Sequence, residues 1–205
     1  MKTATEALQC LRAGNERFVA GEGGLSALLN HIQRDKSVHE QQPLAVILGC
    51  SDSRVPVEVV FDQALGDLFV IRVAGNIVAP SQIGSIEFAT KQFGTRLVVV
   101  LGHSKCGAVE ATVRELQRPG GEASPNLRAI VDRIRPAIAE LVENNPDEDL
   151  DQLVEKAVRA NIMRAADDLR HGSEIIEDLA CNDGLQIVGA EYALETGIVE
   201  FFDID

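Results

Sequence analysis

Residues 44–54 read Leu44-Ala45-Val46-Ile47-Leu48-Gly49-Cys50-Ser51-Asp52-Ser53-Arg54, and this stretch decides the fold class. An apolar run without alternation, this short and introduced by Pro43, marks a strand covered on both faces, as in a parallel sheet flanked by helices. Similar runs recur at Leu68 to Val73, Leu97 to Gly102 and Leu185 to Val188. Between the second and third, Ile83, Ile86, Ala89 and Phe93 keep helical spacing and Gly94 supplies a stop, which makes a βαβ unit. Helical segments are expected from about Cys106 to Leu116, around Leu127 to Val142 and from Asp147 to Leu169, the last with an acidic first turn and Gly172 at its end. Ile198 to Phe202, after Glu195-Thr196-Gly197, is expected to be a final strand along a sheet edge. The chain thus reads as α/β, a mostly parallel central sheet flanked by helices with a C-terminal edge strand.

Upstream of this stretch, Thr3 and Glu6 have capping-box spacing, and Leu8, Leu11, Phe18 and Val19 recur at roughly helical period until Gly21. This predicts an amphipathic N-terminal helical arm over about residues 1–22. With 205 residues, 45% of them hydrophobic, and no repeat or linker, a single domain over 1–205 is expected; Pro119-Gly120-Gly121 reads as a surface turn.

The formal net charge of −13 leaves no dominant cationic surface, which argues against a nucleic-acid partner. No apolar run approaches the ~20 residues that span a bilayer, and the N-terminus lacks the uninterrupted apolar segment of a secretory signal. A cytoplasmic location is expected, with no membrane association. In that setting the four cysteines, Cys10, Cys50, Cys106 and Cys181, are thiols or metal ligands rather than a disulfide framework.

Cys50 follows the first strand, His103 the third, and Cys106 stands three residues on at a helix start. Ligands of an open α/β sheet gather beyond strand carboxyl ends where chain connections diverge, so these three can meet. Two thiolates and an imidazole suit Zn²⁺ over Mg²⁺ or Ca²⁺, and three protein ligands leave a fourth tetrahedral position for water. Arg54 can hold Asp52 by paired charge-assisted bonds, keeping it ionised as an acceptor beside the metal. Each piece also has a plainer reading: a buried cysteine as a small hydrophobe, His103 as a satisfied core imidazole, Asp52 with Arg54 as an ion pair or helix cap. Cys10 and Cys181 lie in helical patterns without His or Cys nearby and read as structural; His31, His39 and His171 read as solvated, with His31 or His39 the weaker alternative of a proton shuttle. The acidic residues Asp147, Glu148, Asp149 and Asp151 read as a solvated helix start.

Cys50-Ser-Asp-Ser-Arg54 followed by Gly102-His103-Ser-Lys-Cys106-Gly107 resembles the paired signatures of the β-carbonic anhydrases, as does Phe69-Val-Ile-Arg-Val-Ala-Gly-Asn76. The resemblance covers essentially the whole chain. It implies reversible hydration of carbon dioxide to bicarbonate and a proton, one zinc per chain on Cys50, His103 and Cys106, and an orienting dyad of Asp52 and Arg54. It further implies that Gln41 (Gln42 in a shifted register) donates to substrate. Phe69 and Phe88 would form apolar walls, and all three residues would come from the facing subunit of a homodimer whose first helix wraps its partner; a dimer of dimers is compatible with this. One subtype of the family closes the fourth zinc position with the aspartate matching Asp52, and is associated with a Trp, Arg and Tyr trio that holds bicarbonate. The matching positions here are Ile47, Arg72 and Phe88, and the chain has no tryptophan, so the resemblance implies the water-bound form. Other readings stay open: a zinc hydrolase of another cumulated substrate such as carbon disulfide, or a noncatalytic bicarbonate-sensing dimer. A dithiol redox protein is disfavoured by the missing Cys-x-x-Cys.

Overall fold

A computed structural model describes residues 2–22, 41–118 and 124–202. The expected runs are strands: β1 (Ala45–Gly49), β2 (Leu68–Arg72), β3 (Leu97–His103) and β4 (Gln186–Tyr192), closed by β5 (Val199–Phe202). They form one sheet in the order β2-β1-β3-β4-β5. The first three contacts are parallel and β5 is antiparallel to β4.

Both faces of the sheet are covered, which is why β1 and β3 show no apolar alternation. Val46, Leu48, Val98 and Val100 point into one core cluster with Ile86, Ile134, Ile138, Leu153 and Ile162. Ala45, Ile47, Val99 and Leu101 point into a second with Ala7, Leu11, Val60 and Phe61. The first cluster is supplied by helices α3 (Pro80–Gln92), α4 (Gly107–Gln117), α5 (Pro125–Asn144) and α6 (Leu150–His171), the second by α1 (Ala4–Val19) and the short α2 (Val57–Val60). A further helix, α7 (Glu174–Asn182), precedes β4; its cap is Ser173, whose hydroxyl accepts from the Ile176 amide at 3.4 Å. The sequence reading gave this segment only a helical pattern around Cys181. α6 starts at Leu150, three residues later than the acidic cluster suggested, because the Asp149 carboxylate caps the helix by accepting from the amides of Asp151 and Gln152.

The capping box of α1 is formed: Glu6 accepts from the Thr3 amide at 2.8 Å, and the Thr3 hydroxyl accepts from the Glu6 amide at 3.2 Å. The buried stripe of α1, however, is Ala4, Ala7, Leu11, Gly14 and Asn15, while Leu8 and Phe18 are half-buried and Val19 is exposed. Small residues win because they let the helix approach its own chain closely. A Cβ at Gly14 would stand 1.8 Å from the Phe61 carbonyl oxygen. Gly14→Ala therefore sets a gain in helix propensity of ~1 kcal/mol against a clash with backbone that no rotamer relieves. Net destabilisation of about 1–3 kcal/mol is expected, read as a lower denaturant midpoint at unchanged slope; a raised midpoint would show that α1 is loosely docked.

Asn15 ties this helix to distant segments. Its Nδ2 donates to the carbonyls of Val60 at 3.1 Å and Gly197 at 2.8 Å, and its Oδ1 accepts from the Val199 amide at 2.8 Å. No described helix is long and apolar enough to cross a membrane.

Candidate metal centre

The strand order creates a fork. From β1 the chain passes to β2 on one side, and β3 then lies on the other side of β1, so the carboxyl ends of β1 and β3 open a crevice. Cys50 follows β1 directly, His103 is the last residue of β3, and Cys106 is the N-cap of α4. Lys105, between the last two ligands, has φ of 54°, the left-handed turn that brings Cys106 back toward His103.

All three are buried, and their ligand atoms lie within 4.8 Å of one another. The two sulfurs are 4.0 Å apart; two sulfurs each ~2.3 Å from one ion at a tetrahedral angle would stand at ~3.8 Å. His103 Nδ1 is 2.9 Å from the Ser104 carbonyl oxygen. A carbonyl only accepts, so Nδ1 is the donor, and in the neutral ring that leaves the lone pair on Nε2. That Nε2 is buried without a hydrogen-bond partner among the described residues, a cost the fold bears unless something positive occupies the space it faces. The thiols split as a coupled pair. A hydrogen bond from Cys106 pulls Cys50 far below the ordinary thiol range, while that bond, burial and the Cys50 charge push Cys106 up. A divalent cation removes the conflict by replacing the shared proton. The donor set, its spacing and the orphaned nitrogen all fit zinc.

Around the three atoms the segment after Cys50 folds into a braced turn. Arg54 grips Asp52 through Nε at 2.9 Å and Nη2 at 2.7 Å, and the Arg54 amide adds a third bond at 2.9 Å. These bonds hold the Asp52 carboxyl well below the usual carboxylate range. Arg54 also donates to the Lys105 carbonyl at 3.2 Å, so the dyad links the two ligand-bearing segments. Asp52 Oδ2 lies 3.8 Å from His103 Nε2.

Three hydrogen bonds, from two residues, were not read from the sequence. Arg72, which pairs in register with Gly49, donates through Nε to the Cys50 carbonyl at 2.9 Å and through Nη2 to the Asp52 carbonyl. The Gly75 amide donates to Cys50 Sγ at 3.3 Å. The nearest available signal was the position of Arg72 at the end of β2 and the Ala-Gly-Asn sequence two residues on.

Gln41, Phe69 and Phe88 are not brought to this site. The Thr95 hydroxyl donates to the Pro43 carbonyl at 3.0 Å, pinning the entry to β1 beside the start of β3. Gln41 therefore lies off the opposite end of β1 from Cys50. Phe69 pairs with Val46, so at ~3.3 Å per residue it sits about 13 Å down the sheet from Cys50. It clusters with Phe88 and Phe93, centroids 6.2 and 6.1 Å away, and Phe88 is 53% exposed. His171 faces Asp167 at 3.0 Å on the exposed side of α6. Cys10 is half-buried and accepts from Lys2 Nζ at 2.8 Å, and Cys181 is exposed. His31, His39 and the Pro119-Gly120-Gly121 turn lie outside the described residues.

Comparison with known proteins gives one answer. The profile of a family described as carbonic anhydrase matches residues 45–199. The chain is 38% identical over 195 residues to carbonic anhydrase 2 of Mycobacterium tuberculosis, covering 93% of this chain and 89% of the relative. It is 40% identical over 198 residues to the carbonic anhydrase of Mycolicibacterium smegmatis, covering 95% and 91%. Among solved structures, a tetrameric β-carbonic anhydrase of Sordaria macrospora superposes with a TM-score of 0.76 at 21% identity, covering 96% of this chain and 97% of that one.

Proposed function

Since the chain belongs to the carbonic anhydrase family and has the fold of its β class, we propose that its centre is a zinc ion held by Cys50, His103 and Cys106. The reaction is the reversible hydration of carbon dioxide to bicarbonate and a proton, and the enzyme is a lyase. The observation that carries the metal assignment is the buried Cys-His-Cys set, in which His103 Nε2 has no hydrogen-bond partner among the described residues.

Bound there, zinc would supply the Lewis acidity that makes water ionisable near pH 7. The rest falls to the chain. Asp52, kept ionised by Arg54, accepts a hydrogen bond from the attacking water and so fixes where its lone pair points. Arg54 holds that acceptor in one orientation and ties it to Lys105, one residue from Cys106. Arg72, bound to two backbone carbonyls of the same turn, braces it from β2.

Gln41, Phe69 and Phe88 lie too far from the Cys50 of their own chain to serve it, which supports their serving a second copy. The functional unit proposed is therefore a homodimer, one domain per chain, in which Gln41 donates to substrate and Phe69 and Phe88 wall an apolar pocket for carbon dioxide. Some solved relatives of the fold are tetrameric, and pairing of dimers is compatible with this arrangement. A monomer by sedimentation equilibrium at concentrations where the enzyme is active would overturn it. A cytoplasmic location is part of the proposal, supported by free thiols at Cys10 and Cys181.

The two relatives described above are both carbonic anhydrases, which favours carbon dioxide over carbon disulfide as substrate and catalysis over sensing. The test is stopped-flow hydration of carbon dioxide with zinc measured on the same sample. Activity proportional to zinc supports the proposal; zinc-replete protein without activity overturns it.

The fourth metal position is proposed to be open to water. Asp52 is engaged by Arg54, and Arg72, which alone survives of the bicarbonate-holding trio, already spends Nε and Nη2 on backbone carbonyls. A crystal structure above about pH 8 is expected to retain the Asp52–Arg54 pair. An Asp52 oxygen at about 2.0–2.2 Å from zinc, the usual carboxylate bond length, would refute the open form.

A further inference from the structure

We propose that Asn161 is a positioning residue of the metal centre, holding the Gly75 carbonyl so that the Gly75 N–H donates to the Cys50 sulfur. The inference rests on Cys50 being a metal ligand and extends that assignment to a helix remote in sequence. Asn161 lies on α6, is 3% exposed, and donates through Nδ2 to the Gly75 carbonyl at 2.8 Å. Gly75 in turn donates its amide to Cys50 Sγ at 3.3 Å. With one peptide group of Gly75 fixed at its oxygen and the other aimed at sulfur, the two bonds set the orientation of a single residue.

The turn carrying Gly75, a 3₁₀ turn over Ala74–Asn76, has little freedom to move. The Val73 amide donates to the Gly49 carbonyl at 3.1 Å and the Asn76 amide to the Val73 carbonyl at 3.0 Å. Gly75 has φ of 70° and ψ of 20°, a conformation that favours glycine. A Cβ there would also meet Ile134 Cδ1 at 2.7 Å and Ala108 Cβ at 3.2 Å. The turn is therefore packed by α4 and α5 and hydrogen-bonded by α6.

Packing alone does not call for an amide at position 161. Its helical neighbours Ala157, Val158, Ile162 and Ala165 are all buried and apolar, and an asparagine among them carries a desolvation cost that leucine would not. What it gains is a bond to the turn that caps a ligand. Two anionic sulfurs on one ion concentrate negative charge in a buried site, and an N–H dipole on one of them draws charge off that sulfur, more effectively where water is excluded. Cys50 receives this donor while Cys106 begins a helix, so the two thiolates are stabilised by different devices.

Wild-type protein loaded with an NMR-active cadmium isotope should show scalar coupling between the metal and the Gly75 amide proton, carried through the hydrogen bond to Cys50. In Asn161→Asp and Asn161→Leu, both close to asparagine in size, that coupling should weaken. The sulfur-to-metal charge-transfer band of the cobalt-substituted protein should move to lower energy as the sulfur regains charge, and zinc affinity by chelator competition should fall about 10- to 100-fold. A purely structural asparagine would change stability without moving the band. If neither cadmium nor cobalt binds, the ligand assignment fails and this inference with it. If metal binds with thiolate charge-transfer bands but Gly75 shows no coupling in the wild-type protein, or folded Asn161 variants keep the wild-type coupling, band and affinity, this inference alone is overturned. The wild-type coupling needs no variant to fold.

Discussion

Replacing Cys50 by serine is expected to remove zinc and activity together, and Cys106→Ser and His103→Ala to do the same. Each contributes one of three donor atoms within 4.8 Å of one another, and an ion left with two protein ligands has no closed tetrahedral set to hold it. Serine keeps nearly the volume of cysteine but offers a protonated hydroxyl in place of a soft thiolate. Loss of a group merely hydrogen-bonded to a ligand costs about 10- to 100-fold in affinity, so loss of a ligand should exceed that range. Dialysed variants should retain little metal by elemental analysis and show no carbon dioxide hydration above background. Full zinc occupancy in any two of the three would sink the ligand assignment.

Asp52→Asn should behave differently, keeping the metal and losing the rate. The substitution preserves shape but deprives Arg54 of its carboxylate, and an amide in place of the acceptor can present a donor to the water it should orient. The fall in kcat is expected to be about 10- to 100-fold, the range for outer-shell groups, with zinc content unchanged. Its pH dependence follows from the direction of the shift. Arg54 depresses Asp52 below the usual carboxylate range, so the ionised form and the stability it brings are complete above the unfolded value and lost only as pH falls through the folded one. Across the neutral range Asp52 does not titrate, so the variant should remain deficient at about pH 7 and at about pH 9 alike. Wild-type turnover in the variant would show the pair to be only structural.

Both faces of β1 and β3 are covered, so the uninterrupted apolar runs at Ala45–Gly49 and Leu97–Gly102 were sufficient to give a buried parallel sheet. The proposed ligand set was legible for the same reason: Cys50, His103 and Cys106 follow those runs closely, and a strand end fixes a side chain more firmly than a loop does. What escaped the sequence depended on distance or on small size. Gly14 and the alanines of α1 carry too little apolar surface to register as a buried stripe, and matter through how near they let the helix come to Phe61. Arg72 and Asn161 act on backbone atoms of other segments, and a bond to a main-chain carbonyl leaves no complementary residue type to find. The roles proposed for Gln41 and Phe69 come only by resemblance, because these residues lie at the far end of β1 and β2 from the Cys50 of their own chain.

The side chain of Asn15 joins residues 182 and 184 positions apart, which orders events in time during synthesis. At about 5–20 residues per second, roughly 10–40 s pass between the making of α1 and that of Gly197 and Val199. Through that interval α1 can pack on β1, β3 and the segment around Val60 and Phe61, but the side chain of Asn15 has only its bond to Val60. A helix made before the whole sheet is thus among the last elements to be secured, and a ribosome-bound chain carries it incompletely docked until the strand at the far edge of the sheet arrives.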